Sequence, residues 1–148
     1  MNSHAHDEAG ITTEEPDLTK AMADKRWRKM EGLAAEVDTM KPVIVLGNPD
    51  AKISLLCWGS NKGVCEEVAE TLTLRVVQPI VLSPFPERQF REALGGVTRL
   101  VAVELNETGQ LARLVRQYGF PVHDHILKYD GRPFSVEELE EEVRRVLA

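Results

Sequence analysis

Residues 53–72 carry the clearest indication of the fold in the sequence. They read Ile-Ser-Leu-Leu-Cys-Trp, then Gly-Ser-Asn-Lys-Gly, then Val-Cys-Glu-Glu-Val-Ala-Glu-Thr-Leu. An apolar run of strand length that stops at glycine and resumes with helical spacing is typical of a β-strand, a turn and an α-helix. In the helical part, one face collects the apolar residues Val64, Cys65, Val68, Ala69 and Leu72. The pattern predicts a β/α unit whose helix packs on a sheet.

The turn of this unit is the first candidate for a functional site, because open α/β sheets usually bind ligands at the carboxyl ends of their strands. It consists of Gly59, Ser60, Asn61, Lys62 and Gly63. Its spacing matches neither the Gly-x-x-x-x-Gly-Lys-Ser/Thr nor the Gly-x-Gly-x-x-Gly phosphate-binding pattern. Two interpretations stay open: an anion or coenzyme site, or an ordinary helix start in which Ser60 or Asn61 caps the free amides.

The rest of the chain alternates between strand-like and helix-like segments. Strands are expected near residues 43–46, 74–82, 100–103 and 122–127, with helices between the later ones and a final helix that opens with the capping box of Ser135 and Glu138. Short connections between such elements predict an α/β fold, a three-layer α/β/α sandwich with about five mostly parallel strands. Residues 43–46 lie so close in sequence to the next strand that we expect an edge strand, antiparallel if it pairs with that neighbour.

The amino-terminal part differs in character. Residues 1–12 are small and polar and predict a flexible arm, while residues 13–40 predict a helix that begins near Thr13 and runs to about Ala35. The only basic run, residues 25–29, lies in this helix. It is either a solvated face with one aromatic anchor, Trp27, or an electrostatic contact to an acidic partner or a phosphate group.

Further candidate site residues follow the later strands. Pro84 and Phe85 lie in a stiff loop after residues 74–82. Glu104, where a strand meets a loop, could act as an acid or base, but no partner is fixed nearby in sequence, so an interface role or an ordering of the loop is favoured. The same loop contributes Asn106, Gly109 and Gln110.

Metal binding and covalent catalysis have little support. His4, His6, Asp7 and Glu8 could in principle hold a metal, but they lie in the predicted arm, and the alternating His123 and His125 lack a third ligand. Cys57 and Cys65 are expected to be buried apolar thiols of a reducing cytosol. We predict no catalytic residue and no metal site.

Composition restricts the partners. A net charge of -6 over 148 residues and 5% aromatic residues argue against a general nucleic-acid binder. No apolar stretch reaches membrane-spanning length and no signal peptide opens the chain. We expect a cytoplasmic protein with no nucleic-acid or membrane partner and one core of its own.

Three motifs resemble a known family. They are Trp-Gly-Ser-x-x-Gly (58–63), Val-Glu-Leu-Asn-x-x-Gly-Gln-Leu (103–111) and Lys-Tyr-Asp-Gly-Arg-Pro-Phe (128–134). They resemble the C-terminal part of the alpha subunit of 2-oxoacid:ferredoxin oxidoreductases, most like the 2-oxoglutarate type. The Pro-Phe-Pro at 84–86 is similar to a loop of that family. The resemblance implies a transketolase C-terminal-like domain over residues 41–148 and, for residues 13–40, a linker helix from a first domain.

The resemblance also implies a function. The domain would contribute to subunit assembly and to the coenzyme A side of a complex that oxidatively decarboxylates a 2-oxoacid to an acyl-CoA. In that family the first alpha domain and the beta subunit enclose thiamine diphosphate, and an iron-sulfur protein passes electrons to ferredoxin. We therefore expect this chain, as an excised domain or split subunit, to be inactive and cofactor-free alone. The alternatives are a freestanding small-molecule or nucleotide-binding module, or a purely structural interaction domain.

Overall fold

The computed structural model describes residues 5–148. They form two compact units, the first ending at Met40 and the second running from Lys41 to Ala148. In the first unit β1 (Ala5–His6) pairs antiparallel with β2 (Thr12–Thr13), and α1 (Pro16–Thr39) follows. The Asp7 carboxylate closes the hairpin by accepting the amide hydrogens of Ala9 and Ile11, each at 2.9 Å. The described part of residues 1–12 is thus a short hairpin where the sequence predicted an arm without regular structure.

Helix α1 is shifted relative to its prediction. It begins at Pro16, since the fixed φ of proline suits a first helical position, and it ends at Thr39 rather than near Ala35. Glu15 is its N-cap residue and makes no side-chain cap, while the Thr13 hydroxyl accepts only the Glu15 amide hydrogen (3.1 Å). Of its 24 residues only Met22 and Val37 are buried.

The second unit contains the sheet. Its elements are β3 (Val43–Gly47), β4 (Ile53–Leu56), α2 (Lys62–Leu72), β5 (Arg75–Pro79), α3 (Glu87–Ala93), β6 (Arg99–Glu104), α4 (Gln110–Gln117), β7 (Asp124–Leu127) and α5 (Val136–Leu147), with a 3-10 turn at Gly59–Asn61. The strand order is β3-β5-β4-β6-β7. Strands β4 to β7 run parallel and β3 is antiparallel at the edge, which confirms the predicted sheet.

The neighbour of the edge strand differs from the one considered in the sequence. Strand β3 pairs with β5, not with β4, and Val45 lies opposite Val77. Two backbone bonds extend this pairing, from Asn48 to the Leu74 carbonyl and from Ile80 to the Pro42 carbonyl, both 2.8 Å. Strand β4 therefore lies in the centre of the sheet, between β5 and β6.

Alternate residues along the strands supply two cores, one on each face of the sheet. Leu55, Val76 and Val101 pack with residues of α2 and α5, whereas Leu56, Val77 and Ala102 pack with residues of α3 and α4. Cys65, Val68 and Ala69 of α2 are fully buried, and Val64 and Leu72 pack on the same core, as the helical spacing predicted. The sheet therefore lies between two helical layers.

The start of α5 follows its sequence pattern. The Ser135 hydroxyl accepts the Glu138 amide hydrogen (3.2 Å), and the Glu138 carboxylate accepts the Ser135 amide hydrogen (3.0 Å). This reciprocal pair is the predicted capping box. Among the described helices, none combines the length and the apolar character that crossing a membrane requires.

Candidate functional site

The loops that follow β4, β6 and β7 line a groove at the carboxyl edge of the sheet. Two depressions of about 390 and 470 Å³ share Ser60 and Leu105 and so adjoin. Their other lining residues are Trp58, Gly59, Asn61, Asn106 and Gln110 in the first, and Lys128, Tyr129, Gly131, Arg132 and Pro133 in the second. We call this surface the carboxyl-edge groove.

Glu104 lies beneath the groove and is fully buried. Its Oε2 accepts hydrogen bonds from the Leu111 amide and from Asn106 Nδ2, both at 2.8 Å, and its Oε1 accepts one from the Ala112 amide at 3.0 Å. Two of these donors are free amides in the first turn of α4, where the helix dipole also favours a negative charge. Glu104 thus orders the loop between β6 and α4.

The same loop depends on Asn106 and Gly109. The Asn106 Oδ1 accepts the amide hydrogens of Thr108 (3.2 Å) and Gln110 (3.1 Å), so this side chain also caps the start of α4. Gly109 has φ +63, and a Cβ there would lie 3.3 Å from His125 Nδ1. The loop therefore needs both residues for its shape.

The turn after β4 is held from both sides. Asn61 is buried, and its Nδ2 donates to the Val103 carbonyl of β6 at 3.2 Å, while Gln78 Nε2 of β5 donates to the Gly59 carbonyl at 3.5 Å. Asn61 has helical backbone angles (φ -71, ψ -7) at the end of the 3-10 turn, and its side chain forms no cap hydrogen bond with α2. Helix α2 has no side-chain cap, and the 3-10 turn leads directly into it, so the predicted cap by Ser60 or Asn61 was wrong.

The β7 end of the groove carries its cations. Lys128 Nζ pairs with the Glu138 carboxylate at 2.6 Å and lies 5.4 Å from the centre of the Phe134 ring. Arg132 pairs with Asp130. The hydrogen bond from Arg132 lowers the pKa of Asp130, and the hydrogen bond from Lys128 lowers the pKa of Glu138. An anion that binds at this end would have to displace the carboxylates that already pair with Lys128 and Arg132.

Besides Glu104 and Gly109, which support the groove without lining it, four predicted site residues lie outside the groove lining. Lys62 pairs with Glu66 along α2 at 3.7 Å, and Gly63 is exposed on the same helix. Pro84 follows a cis peptide bond, and Phe85 is buried with its ring stacked on Tyr118, 4.5 Å between ring centres. Phe85 belongs to the core on the α3 and α4 face.

Sequence reasoning missed several groove residues as candidates. Trp58 ends the strand-like run that begins at Ile53, whereas Leu105 and residues 128–133 enter the sequence analysis only within family motifs. Their position in the sequence could have identified them, because all of them closely follow parallel strands whose carboxyl ends lie at one edge of the sheet.

The histidine pair forms no common site. His123 Nδ1 accepts the Leu100 amide hydrogen (3.0 Å), whereas His125 Nε2 accepts a hydrogen bond from Arg116 Nη2 (2.9 Å), because arginine can only donate. Partial burial and the Arg116 charge lower the pKa of His125. His4 lies outside the described residues. Within residues 5–148 no group of three or more ligating side chains could hold a metal ion.

The two cysteines are free and fully buried, as predicted. A hydrogen bond to Cys57, together with burial, raises the pKa of the Cys65 thiol. Both thiols belong to the core between the sheet and helices α2 and α5.

Sequence comparison finds curated relatives, although no family model matches the chain. The chain is 31% identical over 148 residues to the 2-oxoacid:ferredoxin oxidoreductase subunit alpha of Saccharolobus solfataricus. It is 36% identical over 146 residues to subunit alpha of 2-oxoacid:ferredoxin oxidoreductase 1 of Aeropyrum pernix. These alignments cover 96% and 93% of the chain but only 23% of each relative.

Comparison with solved structures finds the same kind of protein. A 2-oxoglutarate:ferredoxin oxidoreductase from Magnetococcus marinus, with 2-oxoglutarate, coenzyme A and succinyl-CoA bound, matches 99% of this chain with 26% of its own at a TM-score of 0.74 and 23% identity. The alpha chain of a probable 2-oxoacid ferredoxin oxidoreductase from Thermoplasma acidophilum matches at a TM-score of 0.50 and 28% identity, with 73% of this chain and 98% of that chain covered. A split-gene transketolase matches at 0.55 and 17% identity, over 72% of this chain and 41% of that one, and shares the fold alone.

The sheet order, the two helical layers and these matches define an α/β domain of the transketolase C-terminal type. Within that class, the chain is homologous to the alpha subunit of 2-oxoacid:ferredoxin oxidoreductases and corresponds to its C-terminal part. It spans about a quarter of the length of the curated relatives (23%).

Proposed function

We propose that the chain is the C-terminal domain of the alpha subunit of a 2-oxoglutarate-type ferredoxin oxidoreductase. In this role it assembles with the other subunits and shapes the coenzyme A side of a complex that oxidatively decarboxylates a 2-oxoacid to an acyl-CoA. The observation that carries the proposal is the 31–36% identity to such alpha subunits along nearly the whole chain. The 2-oxoglutarate type is supported by the Magnetococcus marinus enzyme, which holds 2-oxoglutarate and coenzyme A.

The proposed complex has a beta subunit and ferredoxin as partners, in the cytoplasm, and relies on thiamine diphosphate and an iron-sulfur cluster. The residues present do not fit either group. An iron-sulfur cluster needs four cysteine ligands, or two cysteines and two histidines in a Rieske centre. The two cysteines of this chain are buried in the core, and no group of three or more ligating side chains occurs within residues 5–148. Thiamine diphosphate is held through a metal ion, for which the described residues offer no ligand group. This domain therefore supplies binding and position, and the cofactor chemistry belongs to other regions.

The carboxyl-edge groove fits the chemistry of coenzyme A. Ser60 and Gln110 present hydroxyl and amide groups suited to the amides of the pantetheine arm. Lys128 and Arg132 provide charge-assisted bonds for phosphates once they leave their carboxylates. Tyr129, 66% exposed beside them, offers a ring face for the adenine.

Co-purification tests the assembly. The chain, co-expressed with a beta-type subunit and with the polypeptide that completes an alpha subunit, is expected to form a stable complex, whereas calorimetry of the chain alone is expected to show no heat with thiamine diphosphate. Tight binding of thiamine diphosphate by the isolated chain, or the absence of any complex, would contradict the proposal.

The groove also supports a second candidate, a freestanding coenzyme- or nucleotide-binding module. Thermal-shift assays with coenzyme A separate the two. A shift in the isolated chain that Lys128→Ala and Ser60→Ala abolish, with no partner subunit captured, favours the freestanding module. A coenzyme A effect that appears only in the complex favours the subunit. Arg113→Ala, an exposed change on α4 away from the groove, serves as the control.

A further inference from the structure

Helix α1 buries very little of its surface within this chain. Only Met22 and Val37 of its 24 residues are buried. Leu18 and Leu33 remain 46% and 45% exposed and Trp27 is 75% exposed. A helix of a globular protein normally buries an apolar stripe, and most of its stability comes from that packing. Leu18, Trp27 and Leu33 of α1 therefore keep much of their apolar surface exposed.

Trp27 lies within a concentrated positive charge. Lys25, Arg26, Arg28 and Lys29 flank it. Arg28 interacts electrostatically with Asp24 one turn earlier, and none of the salt bridges found among the described residues involves Lys25, Arg26 or Lys29. Lys20 of the same helix pairs with Asp24 at 2.9 Å. Tryptophan and arginine are the residues most enriched at the energetic centres of protein interfaces.

The charges on either side of this run select the kind of partner. Asp17 and Asp24 precede it, and Glu31, Glu36 and Asp38 follow it. A second copy of α1, laid parallel or antiparallel with the two Trp27 side chains together, would place cations against cations. A nucleic acid or an anionic membrane would meet these acidic flanks and the net charge of -6. A discrete acidic patch on another protein avoids both conflicts.

We infer that α1 is an interface helix whose Trp27 enters an apolar hollow on another subunit, while carboxylates around that hollow pair with the cations of residues 25–29. The inference rests on the proposed function, because it takes that subunit to be part of the oxidoreductase. The chain spans 23% of its curated relatives, so most of each relative has no counterpart in this chain.

The test measures binding of the intact chain to the beta-type subunit and to the polypeptide that completes the alpha subunit. Trp27→Ala is expected to weaken the complex about tenfold or more. Arg28→Glu is expected to weaken it to a similar degree and to reduce its loss of affinity between about 50 and about 300 mM NaCl. Arg113→Glu makes the same charge change on exposed α4 and should stay within about twofold of the wild type. Circular dichroism verifies that α1 stays helical in each variant.

A spectroscopic readout accompanies the affinities. In a Trp58→Phe background Trp27 is the only tryptophan, since the chain has two. Its fluorescence is expected to shift to shorter wavelength and to lose acrylamide quenching when the complex forms.

Each other outcome overturns the inference in a recognisable way. If the complex forms but Trp27→Ala and Arg28→Glu bind like the wild type, α1 is not the interface and the proposed function stands. If neither polypeptide binds, the proposed function fails and the inference with it. If the chain instead binds single-stranded RNA, or vesicles of phosphatidylcholine with phosphatidylserine, and Arg28→Glu abolishes that binding, the partner of α1 carries phosphate and is not a protein.

Discussion

Replacing Glu104 with glutamine should destabilise the loop that forms one wall of the carboxyl-edge groove. In the wild type the buried carboxylate accepts three hydrogen bonds, from the amides of Leu111 and Ala112 and from Asn106 Nδ2. Glutamine keeps the shape of glutamate but replaces one acceptor oxygen with an NH₂ donor. In its less costly orientation the glutamine oxygen keeps the two bonds of Oε2, and its NH₂ group then faces the Ala112 amide hydrogen.

The expected loss follows from these bonds. An unsatisfied buried amide costs about 1–3 kcal/mol. The two remaining bonds change from charge-assisted to neutral and lose about 1 kcal/mol each, while relief from burying a charge offsets part of the total. We expect the free energy of unfolding to fall by about 3 kcal/mol, which corresponds to a decrease in Tm of about 6–12 °C for a chain of this size.

Urea denaturation followed by circular dichroism measures this loss. Glu107→Gln, the same change at an exposed position of the same loop, should alter the free energy of unfolding by less than about 0.5 kcal/mol. A loss below about 1 kcal/mol for Glu104→Gln would refute the assigned role, because the three hydrogen bonds could not then be what orders the loop.

Three further predictions concern other parts of the second unit. Gly47→Ala should cost about 3 kcal/mol, since Gly47 has φ +70 and its Cβ would lie 2.4 Å from the Leu74 carbonyl oxygen. Gly59→Ala should lower the free energy of unfolding by less, because Gly59 has a similar φ of +56 but no atom within 4 Å of the added Cβ. The difference between the two variants therefore measures the steric clash at Gly47 apart from the backbone strain. Ser135→Ala removes the capping box of α5 and should cost about 1 kcal/mol in the same urea assay. The lowered pKa of His125 means that the unfolded chain binds more protons than the folded one, so stability should fall as the pH drops below 6.5, and His125→Gln should flatten that slope.

Several elements followed from local patterns. The 3.6-residue spacing in residues 64–72 indicated which face of α2 would be buried, and the capping box at Ser135 placed the start of α5. Both depend on residues a few positions apart, which is why the sequence alone was sufficient. The sequence favoured an interface or loop-ordering role for Glu104 over acid-base chemistry, and the hydrogen bonds from the Leu111 and Ala112 amides agree with loop ordering.

Other features depended on residues far apart in the chain. The neighbour of β3 was set by contacts at both ends of β5, and the role of Asn61 by a bond to Val103, 42 residues away. The groove likewise appeared only when the loops after β4, β6 and β7 met at one edge.

Patterns along the chain were enough to predict the α/β class, the buried faces of the elements and the family resemblance. The strand order, the members of the groove and the exposure of Trp27 became known only from the folded structure. Periodicity shows which side of an element is apolar, whereas packing and hydrogen bonds between distant segments select the neighbour of that side.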